Sequence, residues 1–236
     1  MVSRTRFAEY NSMDSALTAL TRNGAGVVAK WDFALRSDYK ALLSKSKRGN
    51  DEDRPYDVAH LWDVTNQRYG YFRDRVTQQV SNMIGHFNLT GVAGLVSKRG
   101  KVGRTSTSDA YANALLDHKI IVVAQRDEWE DHLRLFESLA GGGMVLHDPM
   151  THPPAGLLDG VNIVFYSSLE DMSKKILYYL RDPDGIKARV QIAKAGQELC
   201  LEHHQNGHRI ERLLLGDNWP TDWRDPVAPL LLCDEG

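Results

Sequence analysis

Apolar residues along the chain follow two alternating spacings, which together predict strands interleaved with helices. Strand-like segments occupy five short stretches, 57–64, 89–96, 119–124, 144–148 and 161–166, and the stretch at 119–124 is an almost wholly apolar run. Apolar residues at helical spacing occupy the segments between and after them: 71–84, 108–116, 131–140 and 169–180. Continuous runs are typical of parallel strands that are covered on both faces. We therefore expect an α/β fold, a Rossmann-like parallel sheet with helices on both faces, followed by C-terminal helices.

Capping residues mark the helices of the C-terminal third. Ser168 and Asp171 fit a capping box at the start of one helix, and Asp182-Pro183 ends that helix. Further helices are predicted over 184–204 and around 210–215.

Changes in composition divide the chain into three parts. Residues 40–55 are polar and highly charged, which predicts a solvated loop or linker, with a phosphate-binding basic patch as the alternative. Residues 1–55 are therefore interpreted as an N-terminal helical and linker segment. The α/β domain is predicted over 56–216, and residues 217–236 are predicted to form an irregular tail.

Composition and charge place the chain in an ordinary globular class. With 236 residues, 42% hydrophobic and 25% charged, it can bury a sizeable core. The net charge of −2 gives no support for nucleic-acid binding. Cys200 and Cys233 do not make a disulfide framework, so a reducing, cytoplasmic location is expected, with Cys200 in the core. No apolar run approaches the roughly 20 residues of a membrane span.

The helix predicted over 131–140 carries two stripes of residues. Apolar residues define its core-facing side: Leu133, Phe136 and Ala140. A polar stripe steps by four, three and four residues: Glu130, Arg134, Glu137 and Gly141. Glu130 and Arg134 also have the spacing of an ordinary surface pair, worth only about 0.3–0.5 kcal/mol.

The loop before this helix is the candidate ligand site, because ligands of open parallel sheets bind at the carboxyl ends of the strands. Residues 125–130 leave such an end, and the backbone N–H groups of a helix start suit a diphosphate. A glutamate in the helix suits a ribose diol, and Gly141–Gly143 allow a tight turn and close approach of backbone or ligand. The chain has no Gly-x-Gly-x-x-Gly after its first strand and no Walker A motif, which disfavours dinucleotide oxidoreductases and P-loop enzymes.

Several segments, in order, resemble a known family. They are Arg134-x-Phe-Glu137-x-Leu-Ala-Gly-Gly-x-x-Val-Leu, Gly160-Val-Asn-Ile-Val-Phe-Tyr, 169–180, Ile192-Ala-Lys-Ala-Gly196 and His208-Arg209. Together they are similar to the C-terminal, donor-binding half of GT-B glycosyltransferases, and most similar to the CgeB-like, spore-maturation group of group 1 enzymes. The resemblance covers roughly residues 56–216.

The resemblance implies transfer of a sugar from a nucleotide-sugar, such as a UDP- or GDP-sugar, to an acceptor. It implies retention at the anomeric carbon, with no bound catalytic metal and no further cofactor. Glu137 matches the second glutamate of the family's paired motif, which contacts the donor ribose, and Gly141–Gly143 match the turn that follows. The first glutamate should lie eight positions earlier, where this chain has Trp129; Glu128 and Glu130 flank that position.

Basic residues of the same stretch are the candidates for the diphosphate. Arg126, His132 and Arg134 could neutralise it through charge-assisted hydrogen bonds, and stabilising the leaving group is the main catalytic contribution of such a site. Glu130, His132 and Arg134 are accordingly the catalytic candidates.

Other polar clusters have both a functional and a structural interpretation. Lys98, Arg99, Lys101 and Arg104 are further phosphate candidates, or simply a solvated loop. His147-Asp148 and His152 follow a strand end and are candidate donor or acceptor contacts. His203, His204 and His208 have metal-like spacing, but without carboxylate partners a solvated helix end is the preferred interpretation.

Two other functional classes remain open beside the glycosyltransferase. A complete GT-B enzyme has two Rossmann-like halves, and residues 1–55 are too short for the acceptor half. The chain is therefore expected to be a fragment, to work with a partner chain or a missing acceptor domain, or to be a non-catalytic nucleotide- or sugar-binding module. A flavodoxin-like signalling domain is the third hypothesis, and it lacks the acidic cluster of receiver-like proteins.

Overall fold

The computed structural model contains a parallel five-stranded sheet with helices on both faces, as the sequence predicts. It describes residue 35 and residues 54–61, 71–94, 109–125, 133–150 and 153–215, with side chains except those of residues 133 and 211–215. The strands are β1 Tyr56–His60, β2 Gly91–Ala93, β3 His118–Val123, β4 Met144–His147 and β5 Val164–Phe165. The helices are α1 Tyr71–Phe87, α2 Asp109–Asp117, α3 Leu133–Ala140, α4 Leu169–Arg181, α5 Pro183–His203 and α6 Asn206–Leu215.

The order of the strands places a topological switch next to β1. The sheet runs β2-β1-β3-β4-β5, and all four neighbouring pairs are parallel. The chain leaves β1 toward one edge of the sheet through β2 and then returns to the other side of β1 through β3. In such doubly wound sheets, ligands bind at the carboxyl ends of the strands beside this switch. The carboxyl ends of β1 and β3 are therefore the expected position of a site.

Two hydrophobic cores, one on each face, hold the sheet between the helices. One contains Leu115 of α2 and Leu135 and Phe136 of α3, against strand residues such as Ile121. The other contains residues of α1 and α4 against the opposite sides of the same strands. Helix α5 contributes to both cores. Because the strands are covered on both faces, they appear in the sequence as continuous apolar runs.

Strand β5 is shorter than the predicted segment 161–166 because a turn takes up its first half. The Asn162 side chain accepts a hydrogen bond from the Leu158 N–H at 2.8 Å and donates one to the Gly156 oxygen at 2.8 Å. These bonds hold residues 158–163 in a turn, and Val161 is exposed. The predicted N-cap is confirmed, since the Ser168 hydroxyl accepts from the Asp171 N–H at 3.0 Å, but the Asp171 carboxylate accepts from the Ser167 N–H at 2.8 Å, one residue before the position that a capping box requires.

Two described residues of the N-terminal segment belong to the packed domain. Leu35 is buried, and its backbone exchanges hydrogen bonds with the chain around residue 205, between α5 and α6. Arg54 was expected in a solvated loop, but it is 3% exposed. Its guanidinium donates to the carbonyl oxygens of four residues: Leu115, Leu116, His118 and Gly141. The expectation was wrong for Arg54 because the unpaired carbonyls at two helix ends hold it inside the fold. The rest of 40–53 lies outside the described residues, and the domain division at residue 55 stays a prediction.

Candidate functional site

Buried polar side chains gather at the carboxyl edge of the sheet, where the strands end. We call this set the carboxyl-edge cluster: His60, Gln125, His147, Asp148 and Tyr166. His60 and His147 end β1 and β4, and the other three residues follow β3, β4 and β5. Buried polar groups are unfavourable unless they are hydrogen-bonded, so the bonds of this cluster define what it can do.

Asp148 joins two strands at this edge. The Gln125 backbone N–H donates to both carboxylate oxygens of Asp148, at 3.0 and 3.1 Å. His147 Nδ1 lies 2.6 Å from the Asp148 carbonyl oxygen and 3.0 Å from Oδ1, and its Nε2 lies 3.2 Å from Gln125 Nε2. The carboxylate is therefore held in place between the ends of β3 and β4.

Arg73 brings a buried positive charge to the same edge. It lies in the first turn of α1, is 5% exposed, and its Nε donates to the Ala124 oxygen at 2.8 Å. Tyr166 donates its hydroxyl hydrogen to the Val123 oxygen at 3.2 Å. Burial raises the pKa of Tyr166 well above its ordinary value, the Asp148 carboxylate raises it further, and Arg73 opposes both. The Tyr166 hydroxyl is therefore neutral and acts as a donor.

On the opposite face of the sheet, Glu137 lies in the second turn of α3 and is 1% exposed. The Tyr111 hydroxyl of α2 donates to Glu137 Oε2 at 2.6 Å. Arg134 Nη1 lies 4.0 Å from the same oxygen, and the Arg134 guanidinium lies 4.8 Å from the centre of the Tyr111 ring. The side chain of Arg134 is 20% exposed, so this group joins a solvent-accessible cation to a buried carboxylate.

Helix α3 is buried on its polar side as well as on its apolar side, although the sequence predicts only the apolar side to face the core. Phe136 and Ala140 face the core as predicted, but Glu137 and Ser138 are buried as well. Helix α5 packs against α3 and places Cys200 Sγ 3.3 Å from the Phe136 oxygen, while Tyr111 of α2 contacts Glu137. Cys200 is a core residue, as predicted, and burial raises the pKa of its thiol to about 12.

Of the predicted site residues, Arg134 and Glu137 come together near the carboxyl edge. Arg126, Trp129, Glu130 and His132 lie outside the described residues. The basic residues Lys98, Arg99, Lys101 and Arg104 and the histidine His152 also lie outside them.

The structure places the three glycines Gly141–Gly143 at the amino edge of the sheet, away from the strand ends that suit a ligand. A Cβ on Gly143 would lie 2.8 Å from the oxygen of His118, the first residue of β3. Gly142 has φ +72° and lies beside Arg54 and Gln197. Strand β3 alone separates the two edges by about 16 Å, at roughly 3.3 Å per residue. The predicted close approach to backbone is correct, but the glycines do not join the candidate ligand site.

A family model described as glycosyl transferase-like matches residues 73–215, which is more than half of the chain. The chain belongs to this glycosyl transferase-like family. Among solved structures, it is similar to the C-terminal domain of a glycosyl transferase group 1 family protein, LpcC, from Francisella tularensis. That similarity has 15% identity and a TM-score of 0.44, and covers 75% of this chain and 100% of the other. No curated protein matches the chain.

Family membership supports glycosyl transfer as the general activity, with a nucleotide-sugar and an acceptor as its two substrates. The matched segment contains Arg73, Glu137 and Asp148, so it covers both faces of the carboxyl edge. Within the described residues, no helix is both long and apolar enough to cross a bilayer.

One histidine of this glycosyl transferase-like domain corrects the expectation of a solvated helix end. His204 is 2% exposed, stacks on the Phe136 ring with centroids 4.8 Å apart, and lies 2.9 Å from the Ala155 oxygen. It was misjudged because α5 ends against α3 rather than in solvent. In the described part of the chain, no three histidine, cysteine or carboxylate residues form a group that could hold a metal.

No role for His60, Arg73 or Tyr111 was predicted from the sequence. Of the three, His60 has the clearest sequence signal, because a polar residue seldom ends a buried apolar strand. Arg73 and Tyr111 give no comparable signal, since Arg73 lies among charged residues of its helix and Tyr111 lies between alanines. Their positions follow from packing between helices and strands far apart in sequence.

Proposed function

We propose that the carboxyl edge of this domain binds a nucleotide-sugar and that the chain takes part in retaining, metal-independent transfer of the sugar to an acceptor. The observation that carries the proposal is the carboxyl-edge cluster, which places a buried carboxylate, a neutral tyrosine and histidines beside the topological switch. Membership of the glycosyl transferase-like family supports glycosyl transfer as the reaction class. A partner domain or partner chain would supply the acceptor side of the cleft.

In this proposal, Arg134 neutralises the donor diphosphate. Its guanidinium is accessible at the start of α3, whose N-terminus adds a partial positive charge. A charge-assisted hydrogen bond contributes about 1.5–3 kcal/mol. As the bond to the sugar breaks, negative charge builds up on the diphosphate, and a fixed guanidinium stabilises that charge. Arg126 and His132 are proposed to act with it, with Glu130 as the sugar-contacting carboxylate.

Glu137 is the proposed ribose contact. Its carboxylate is buried and accepts from the Tyr111 hydroxyl, so a ribose would have to take over that hydrogen bond. Two hydroxyls of a ribose diol can donate to one carboxylate, which would compensate for the lost bond. Arg134 links this residue to the diphosphate position through the 4.0 Å contact.

The second candidate function is binding of a nucleotide-sugar without transfer. Trp129 favours it, because an indole cannot provide the carboxylate expected at that position. The two candidates share the same site and differ only in turnover.

A ligand screen tests the proposal. The chain is heated with UDP-, GDP- and ADP-sugars, with and without Mg²⁺. A ligand at 100 times its Kd should stabilise the fold by about 2.7 kcal/mol, and Mg²⁺ should not be required. Arg134→Gln should weaken binding by roughly tenfold or more, whereas Arg181→Gln, at the exposed end of α4, is the matched control and should not.

The outcomes separate the candidates. The absence of a shift with every nucleotide-sugar would refute both functions. Binding followed by release of free or transferred sugar over time supports the enzyme, and binding without release supports the module. If the Glu137→Gln variant binds the nucleotide-sugar with unchanged affinity, Glu137 is not the ribose contact, and the other parts of the proposal still stand.

A further inference from the structure

At the switch point of the sheet lies a buried histidine nitrogen that has no hydrogen-bond partner among the residues that the structure describes. His60 is the last residue of β1 and is fully buried, and its Nδ1 lies 2.9 Å from the Val122 carbonyl oxygen. A carbonyl oxygen only accepts, so Nδ1 carries the hydrogen and Nε2 presents a lone pair. Among the described residues, no donor reaches that lone pair.

Donors at the neighbouring strand ends are directed to other acceptors. The Gln125 backbone N–H donates to Asp148, and the Tyr166 hydroxyl donates to the Val123 oxygen. Arg73 directs its Nε to Ala124. An unsatisfied buried acceptor is uncommon in folded proteins and calls for a specific explanation, such as a functional role.

Protonation does not occupy the lone pair at neutral pH. Burial lowers the pKa of His60 to about 4, the hydrogen bond to Val122 opposes this, and the charges of Arg73 and Arg134 lower the pKa further. Asp148 raises it. Nε2 therefore remains an acceptor, and a group that carries a hydrogen is needed to satisfy it.

We propose that His60 Nε2 accepts a hydrogen bond from a sugar hydroxyl of the bound nucleotide-sugar, which makes His60 a specificity-determining residue of the donor site. This inference rests on the proposed function. The diphosphate of a nucleotide-sugar is esterified at both ends, carries no hydrogen at neutral pH and does not fit the lone pair, whereas every sugar offers hydroxyl donors. The hydroxyl has two sources, the ribose and the transferred sugar, and the experiment separates them.

The direct test is ¹⁵N NMR of the full chain labelled at histidine. Spectra are recorded alone, with UDP-glucose and GDP-mannose, and with UDP and GDP. Binding of a nucleotide-sugar should shift the His60 Nε2 resonance toward that of a hydrogen-bonded, unprotonated nitrogen, while Nδ1 stays protonated. A shift with the nucleotide-sugar alone assigns the hydroxyl to the transferred sugar. An equal shift with UDP and with GDP, whose bases present different N–H donors, assigns it to the ribose.

Three results would overturn the inference while leaving the proposed function standing. The first is a bound probe with an unmoved Nε2 resonance. The second is protonation of Nε2 on binding, which would indicate a phosphate contact. The third is an Nε2 resonance already at its hydrogen-bonded position without any probe, which would indicate an internal water. If calorimetry detects no binding of any probe, the proposed function fails and this inference fails with it.

Two variants give a second readout. His60→Asn keeps an amide donor near the Nδ1 position but lacks the Nε2 acceptor, so affinity for the bound probe should fall by about 2- to 10-fold. His60→Gln can place its amide oxygen near the Nε2 position and should recover part of that loss. His118→Asn is the matched control, because His118 is a buried histidine at the amino edge whose Nδ1 lies 2.7 Å from the Ala114 oxygen. Unchanged affinity in a folded His60→Asn chain would contradict the inference.

Discussion

At the scale of single residues, the buried carboxylate of Glu137 and the buried imidazole of His60 differ in how they are satisfied. Glu137 accepts from Tyr111 and lies near Arg134, whereas His60 makes one hydrogen bond to the described part of the chain, through Nδ1. Satisfied buried polar groups define the fold, and unsatisfied ones cost stability. The two residues therefore contribute differently to stability and to binding.

His60 gives the folded chain a predicted dependence on pH. Its pKa is about 4 in the folded state and about 6.5 when unfolded. Between these values the unfolded state binds one more proton, so the free energy of unfolding decreases as pH falls, by up to about 1.4 kcal/mol per pH unit. Urea unfolding from pH 7 to pH 4 should therefore show a steeper loss for the wild type than for His60→Asn.

The difference between the wild type and His60→Asn isolates the contribution of His60 to the pH dependence of the unfolding free energy. His118, whose pKa burial also lowers, is present in both chains and cancels in the difference. His86→Asn changes an exposed histidine of α1 and controls for the replacement of a histidine by asparagine. Parallel curves for His60→Asn and the wild type would show that His60 is not held neutral by burial.

At the scale of elements, α3 explains why Arg134 and the turn at Gly141–Gly143, which are close in sequence, lie at opposite edges of the sheet. An eight-residue helix is about 12 Å long, so it carries the chain from the carboxyl edge back to the amino edge. Arg134 lies near its start and the glycine turn follows its end. Arg54 stabilises that turn by donating a hydrogen bond to the Gly141 oxygen at 2.7 Å.

Substitution of Gly142 tests this separation. Gly142→Ala forces a side chain onto φ +72°, where its Cβ would lie 2.7 Å from Gln197 Nε2 and 3.0 Å from an Arg54 nitrogen. A loss of about 1–2 kcal/mol in unfolding free energy is expected, with no change in nucleotide-sugar affinity. Gly85→Ala is the control, because nothing lies within 4 Å of its Cβ and helix α1 should gain up to about 1 kcal/mol. A large loss of affinity in Gly142→Ala would return the glycines to the ligand site.

At the scale of the whole molecule, the fold could be predicted from the sequence because burial on both faces appears directly as apolar runs. The proximity of Arg134 and Glu137 could also be predicted, since side chains three residues apart on a helix lie next to each other. The burial of Arg54 and His204 could not be predicted from the sequence, because each side chain is covered by helix ends from distant parts of the chain. For His60, the sequence shows a histidine at a strand end but does not show that its second nitrogen has no partner among the described residues.

The central claim is that the carboxyl edge of this glycosyl transferase-like domain holds the nucleotide-sugar. Photocrosslinking tests it most directly, with an azido analogue of the nucleotide-sugar that stabilises the chain most, followed by identification of the modified residues by fragmentation mass spectrometry. The expected crosslinks fall on carboxyl-edge residues, such as His60, Gln125, Arg134 or Asp148, and an excess of the unmodified nucleotide-sugar abolishes them. Crosslinks confined to the amino edge, around Arg54 and Gly141–Gly143, would contradict the claim.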